Sequence, residues 1–341
     1  MKQVVEQLES QINLYEYHYR VLDNPLISDQ EFDKQMKELK ELSKKYPEYV
    51  SSNSPLNKIG SVLTDGFQKV KHETIMGSIN NVYSVDELRQ WASKLPTKLF
   101  VLEDKFDGIS CSIVYKNGEL IKAVTRGDGI QGDDITNNVK MCVNVPSYIE
   151  NAEYEVRGEL VIFKEHFDKI NETLPEDKKF KNPRNLTSGT IKSLDSQVVK
   201  NRVVHFIPFT VLKNGIEIKQ NLDNFQLLSF AQHQESYTGN IESLITRIEA
   251  YERNKIFKNK PYMTDGLVIK VSDLKIREEL GYTSNCPNYF IAYKFKQETA
   301  ITEVLDIEWQ VGKSRITPVA ILKPVDLEGS TISRASLHNV T

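Results

Sequence analysis

Val101-Leu102-Glu103-Asp104-Lys105-Phe106-Asp107-Gly108-Ile109-Ser110-Cys111-Ser112-Ile113-Val114-Tyr115-Lys116-Asn117-Gly118 is the stretch that decides the fold of the central part of this 341-residue chain. Ile109, Cys111, Ile113 and Tyr115 alternate with other residues up to Asn117-Gly118, and Leu120, Lys122 and Val124 resume the alternation. A period of two puts one face of a strand against a core, and Asn-Gly accepts the positive φ angles of a tight hairpin turn, so two antiparallel strands are predicted. Residues 98–103 read as another strand. Lys105-Phe106-Asp107-Gly108 is then a loop between strand and hairpin, a place where a lysine could be presented to a ligand. Further strands are predicted over 154–162, 203–211, 265–271 and 289–296.

Toward the N-terminus the period changes. Over residues 3–21, Val4, Leu8, Ile12, Tyr15 and Tyr19 recur at helical spacing until Asp23-Asn24-Pro25 breaks the pattern. Ser28-Asp29-Gln30-Glu31 matches a capping box, and Phe32, Met36, Leu39 and Leu42 continue one helical face. A helical hairpin is predicted, followed by the polar connection Ser51-Ser52-Asn53-Ser54-Pro55. Ser84-Val85-Asp86-Glu87 is a second capping box, opening a helix with Leu88, Trp91 and Leu95 that Pro96 ends. Beyond Thr302, strand-like pieces at 304–311 and 316–322, separated by turns, predict the start of a small β domain.

The chain is long enough for two or three compact units. No apolar run approaches the roughly 20 residues that cross a bilayer, and Met1-Lys2-Gln3-Val4-Val5-Glu6 leads into a polar amphipathic pattern rather than a signal core. A soluble, cytoplasmic protein without a membrane partner is expected. Cys111, Cys142 and Cys286 are too scattered for a disulfide framework and read as buried thiols, and the six histidines show no metal spacing. No metal site is fixed by a side-chain cluster. A net charge of -3 argues against a uniformly basic coat, yet Lys178 to Arg202 gathers seven basic residues against one acid, Asp195. That run could meet phosphate; alone, it is equally a solvated loop.

A Lys-x-Asp-Gly match arises by chance in about one chain of this length in fifteen. What raises Lys105-Phe106-Asp107-Gly108 above chance is its company, in order: Arg126-Gly127-Asp128-Gly129, Arg157-Gly158-Glu159, Asn182-Pro183-Arg184-Asn185, Asp265-Gly266-Leu267-Val268-Ile269-Lys270 and Ala292-Tyr293-Lys294-Phe295. Singly, Arg-Gly-Asp-Gly and Asp265-Gly266 are turns, and Tyr15, Tyr17 and Tyr19 are more readily packing than ligand contacts. Six elements in sequence are not an accident.

With these elements the chain resembles bacterial-type NAD-dependent DNA ligases over essentially its whole length. The resemblance implies an α+β fold in three parts. These are a small N-terminal helical domain (1–64), a nucleotidyltransferase domain of ATP-grasp-like antiparallel sheets (65–298), and the beginning of an OB-fold β-barrel (299–341). The last part is similar over Gln310-Val311-Gly312-Lys313 through Ser333-Arg334-Ala335-Ser336-Leu337-His338-Asn339. The helical hairpin with Tyr19, Asp29 and Asp33 is similar to the domain that binds the nicotinamide mononucleotide (NMN) half of NAD, which ATP-dependent ligases and capping enzymes lack.

The implied reaction has three displacements at phosphorus. Lys105 takes AMP from NAD, AMP passes to the 5′-phosphate of a nick in double-stranded DNA, and the 3′-hydroxyl displaces AMP. A lysine attacks only when neutral, a scarce form near its ordinary pKa of about 10.4. Lys270, Lys294 and a bound Mg²⁺ or Mn²⁺ would disfavour its protonated form and neutralise phosphate charge. By the same resemblance Glu103 faces the adenine edge, Glu159 the ribose and Phe209 the adenine face. Asp107 orients the lysine or the metal. Ser78 and Ile79 lie on the NAD-facing side. Arg126 and Arg184 contact ribose or phosphate, and Arg184 and Lys192 meet DNA.

The family continues past these elements into a complete OB fold, a four-cysteine zinc module and helix-hairpin-helix elements. Zn²⁺ is expected only there, and a chain of this extent is expected to capture AMP but seal nicks poorly, as a monomer. Arg20, Phe32 and Asn80 depart from the family pattern on the NAD side, and Lys192, Phe257, Asn285 and Asn288 on the DNA side, where lost arginine forks weaken phosphate contacts. Two rivals are an ATP-using ligase or capping-type nucleotidyltransferase, which the helical hairpin opposes, and a catalytically inactive DNA-binding relative, which the intact Lys105, Asp107, Glu159, Lys270 and Lys294 oppose.

Overall fold

A computed structural model describes residues 2–20, 26–51, 54–57, 67–149, 153–218, 235–283, 286–295, 300–311, 316–327 and 330–337. The chain divides into two units, Met1–Lys294 and Phe295–Thr341. The boundaries expected near residues 64 and 298 lie outside the described residues, as do Asn285, Gly312, Lys313, His338, Asn339 and the side chains of Tyr19, Arg20 and Asp29.

Helices α1 (Lys2–Arg20) and α2 (Asp29–Lys45) make the expected hairpin. Both halves of the first capping box form. The Ser28 hydroxyl accepts from the Glu31 amide, and the Glu31 carboxylate accepts from the Ser28 amide. Val5, Leu8, Ile12 and Leu39 are buried between the helices. Val4, read as part of that face, is exposed and Val5 takes its place; the two flank the Leu8–Ile12 line, and packing selects one.

Among the described residues twelve strands follow: β1 (Lys69–Lys71), β2 (Asn81–Val82), β3 (Phe100–Phe106), β4 (Ile109–Lys116), β5 (Glu119–Thr125), β6 (Gln131–Asp133), β7 (Tyr154–Ile162), β8 (Val204–Lys213), β9 (Ile216–Glu217), β10 (Ser236–Gly239), β11 (Thr264–Val271) and β12 (Phe290–Lys294). They form two five-stranded sheets, ordered β10-β3-β11-β12-β2 and β5-β4-β7-β8-β9, and a ribbon β1-β6. Among the described residues only the β12–β2 pairing is parallel. The β4–β5 turn uses Asn117 and Gly118 at φ 50° and 84°, the left-handed values that the dipeptide predicts. The inner face of this second sheet buries Ile113, Leu160, Ile162 and Phe206 completely or nearly so, each contributing roughly 1.5–3 kcal/mol.

The second capping box forms by half. Ser84 Oγ accepts from the Glu87 amide, but the Glu87 carboxylate accepts from Tyr83 N at 2.8 Å rather than from Ser84. The larger correction concerns Lys105, which stands within β3 and not in a loop. Ladder pairing with β11 carries the strand to its end, setting Gly266 opposite Lys105 and Thr264 opposite Phe106. The polar run Glu103-Asp104-Lys105 ends the local apolar pattern, so it reads as loop, yet each of its side chains has a partner that keeps the strand regular. On the rear face Asp104 is buried and accepts from Tyr251 Oη at 2.6 Å, Tyr262 Oη at 2.8 Å and Lys260 Nζ at 3.2 Å. Tyr262 also packs edge-on against Phe106, ring centres 4.9 Å apart.

The second unit holds β13 (Val304–Val311), β14 (Ile316–Leu327) and β15 (Ser330–Ser336), an antiparallel sheet in that order. All three cysteines are free and buried, and burial pushes the Cys142 thiol up to about 12. Among the described residues no helix is long and apolar enough to cross a membrane.

Candidate active site

Alternation along β3 sends Glu103 and Lys105 to the face opposite Asp104 and Phe106. Lys105 Nζ donates to both carboxylate oxygens of Asp265, at 2.9 and 3.0 Å. Lys294 Nζ reaches the same carboxylate at 3.1 Å. The register explains the convergence, because Gly266 lies opposite Lys105 on one side and Lys294 on the other. A Cβ on Gly266 would stand 2.2 Å from Tyr293 O, so only glycine lets β11 and β12 approach here. Burial by itself would raise the Asp265 carboxyl, but the two ammonium groups hold it well below the usual carboxylate range.

One pleat along, Lys270 Nζ lies 2.6 Å from Glu103 Oε2, both groups buried, and donates to Phe209 O at 2.9 Å. Its ammonium stands 5.1 Å from the centre of the Phe290 ring. The second sheet faces this array with Glu159 on β7. Ser110, its cross-strand partner on β4, donates its hydroxyl to Glu159 Oε2 at 2.8 Å. Burial lifts the Glu159 carboxyl above its ordinary range, against the pull of Arg184, Ser110, Lys105 and Arg126. Arg184, in the helix Pro183–Ile191, donates to Asp107 Oδ1 at 2.7 Å. Gly108 lets this turn press against β7, where a Cβ would lie 2.2 Å from Leu160 O.

A cleft of about 1330 Å³ runs between these elements, lined by Glu103, Lys105, Arg126, Glu159, Arg184, Phe209, Lys270 and Lys294, with Ser78, Ile79 and Asp33 farther along. Most of the residues singled out in the sequence therefore share one cavity. Two differ in their partners. Asp107, expected to orient the lysine or a metal, is held by Arg184, whereas Lys105 is held by Asp265. Lys270, expected beside Lys105, pairs with Glu103, because it lies four residues beyond Gly266 on β11. Lys192 closes the Pro183–Ile191 helix and does not line the cleft. Arg202, in the basic run, donates to Thr190 Oγ1 and sits over Phe180. Ser110, Arg157 and Asp265 carry no assigned role in the sequence analysis, although Arg157 and Asp265 lie within its ordered motifs. Arg157 donates to Thr74 O and Ile75 O, fixing the segment that leads to Ser78. Asp265-Gly266 reads as a turn only when taken singly, and the two lysine partners of Asp265 are invisible locally.

The family model for the NAD-dependent DNA ligase adenylation domain matches residues 64–298. The chain belongs to the NAD-dependent DNA ligase family. Models for the DNA ligase-like N-terminal NAD⁺-binding domain and the NAD-dependent DNA ligase OB-fold domain match residues 1–60 and 301–341. Relatives named DNA ligase include that of Flavobacterium psychrophilum, 39% identical over 99% of this chain and 53% of the relative. That of Fervidobacterium nodosum is 39% identical over 99% and 51%. An archaeal ATP-dependent RNA ligase of known structure is a distant likeness, 14% identical over 68% of this chain and 50% of that one, at TM-score 0.39. The chain spans about half the length of the curated relatives it matches.

Glu159 of this family member yields a pH-dependent expectation. Its folded pKa is raised, so the charged form is the one that the fold disfavours. The cost to stability is absent below about pH 4, appears as pH rises through the ordinary glutamate value, and is complete above the folded value. Glu159→Gln should therefore melt above the unaltered protein at pH 7, with the gap closing in acid. Thermal melts at pH 7 and pH 3.5 check this, and a lower melting temperature for the variant at pH 7 contradicts it.

Proposed function

We propose that this chain takes AMP from NAD onto Lys105 as the first step of joining DNA strands. The observation that carries the reading is a lysine in a strand, gripped by a carboxylate that a second lysine shares, at the floor of a cleft large enough for a dinucleotide. The resting Lys105 is held by Asp265 and must give up a proton before attack. Asp265, with its depressed pKa, is too weak a base to retain that proton, which passes to solvent through the quarter-exposed side chains. Lys105 Nζ then forms a bond to the adenylyl phosphorus while the bond to the NMN phosphate oxygen breaks, and NMN leaves. Lys294 is placed to neutralise charge on phosphate. A 5′-phosphate oxygen of DNA would next displace Lys105 from phosphorus, and a 3′-hydroxyl would displace AMP to seal a nick.

Glu103 and Lys270 side by side offer an acceptor next to a donor, the complement of the adenine amino group and its neighbouring ring nitrogen. Phe209 supplies an aromatic face beside them. Among the described residues no group of three or more His, Cys, Asp or Glu gathers as a metal-binding set. A bound Mg²⁺ would supply charge neutralisation on the donor's phosphates, beside the ammonium of Lys294. Glu159 Oε1 accepts no hydrogen bond from the described residues and suits a metal-bound water or a ribose hydroxyl.

Intact-mass measurement after incubation with Mg²⁺ and either NAD or ATP tests the donor. The mass of one AMP should appear with NAD, not with ATP, and not in Lys105→Ala. Labelling from ATP alone would overturn the donor assignment, and labelling of Lys105→Ala the nucleophile.

A further inference from the structure

We infer that Asn81 and Tyr83 are positioning residues that dock the helical hairpin on the adenylation domain by gripping one oxygen of Asp33, so that the carboxylate's other oxygen is presented to the donor. This rests on the donor reading above. Asp33 Oδ2 accepts from Asn81 Nδ2 at 2.6 Å and from Tyr83 Oη at 2.7 Å, across 48 and 50 residues of chain. Both bonds are to a charged acceptor and are short, as such bonds are. Asp33 Oδ1 accepts no hydrogen bond among the described residues, and Asp33 lines the cleft with Ser78, Ile79 and Asn80.

The two donors are themselves fixed to the catalytic sheet. Asn81 pairs with Ala292 across β2 and β12, and Ala292 N donates to Asn80 O at 2.9 Å. Two residues farther along β12 is Lys294, which reaches Asp265. Tyr83 N donates to Glu87 Oε2, the contact that displaced the second half of the predicted capping box. A dock made on β2 is thus in register with the strand that positions Lys294. The hairpin is held by a carboxylate that stays half uncommitted, and closure and donor recognition share one side chain.

The test uses the full chain with Tyr83→Phe, Asn81→Ala and the pair together. Time courses of AMP capture give the NAD concentration for half-maximal rate and the rate at saturation. Calorimetry gives the Kd for AMP and for NMN separately. Each loss should raise the half-maximal NAD concentration about tenfold, leave the saturated rate within twofold and weaken NMN by a similar factor. AMP, which the donor reading places on the adenylation domain, should bind unchanged. A double variant with the unaltered NAD dependence overturns the inference. So does equal weakening of AMP and NMN, the mark of a loosened domain. If the unaltered protein takes no AMP from NAD, the donor reading falls, and the NMN arm still decides the dock.

Discussion

Asp265→Asn is expected to slow covalent capture of AMP about a hundredfold while leaving the protein folded. The carboxylate has two acceptor oxygens and uses both, with Lys105 on each and Lys294 on one. Asparagine offers one acceptor and turns an amide N–H toward an ammonium group that also only donates. One of the two lysines must let go. If it is Lys105, the nucleophile loses its place above Gly266; if it is Lys294, the phosphate loses a cation. A displacement of about 1 Å at a reacting group is enough for a loss of this size. Time-resolved intact mass at saturating NAD measures it, and a rate within threefold of the unaltered protein would show that Asp265 is only a resting place for Lys105.

The second large effect is expected in stability as well as activity. Lys270→Met leaves Glu103 charged, buried and without its cation, a change that costs about 3 kcal/mol. The double variant Glu103→Gln/Lys270→Met removes both charges and should recover most of the lost melting temperature. Donor capture should stay low in both, because the double variant regains packing without the ammonium. This separation is what distinguishes a recognition pair from a structural one. Unchanged melting in Lys270→Met would overturn the first half, and full activity in the double variant the second.

The parts of this molecule that could be read from sequence are those whose cause is local. Ser28 and Glu31 lie three residues apart and cap one helix. Asn117 and Gly118 turn one hairpin, and the alternation of Ile109, Cys111 and Ile113 describes one strand. The lysine in Lys105-Phe106-Asp107-Gly108 was visible, but its setting was not. Its strand is completed by β11, and its carboxylate partner lies 160 residues away. Lys270 was placed beside Lys105 by its motif and beside Glu103 by the pitch of the strand. Asp33 was associated with the nucleotide donor through family likeness, while its hold on Asn81 and Tyr83 depends on how two separate pieces of chain meet. Local pattern names candidates; pairing across the sheet decides which of them touch.

The rear anchorage of β3 bears on which parts of the machine can travel. Asp104 is clasped by two tyrosines and a lysine, and Phe106 is wedged by one of those same tyrosines. The residue between them is therefore bolted from behind, like a workpiece in a vise. On the proposed reading, a lysine so mounted cannot follow its phosphorus from donor to acceptor. The strokes of the cycle fall to whatever is carried past it, with the nucleophile as the fixed point of the motion.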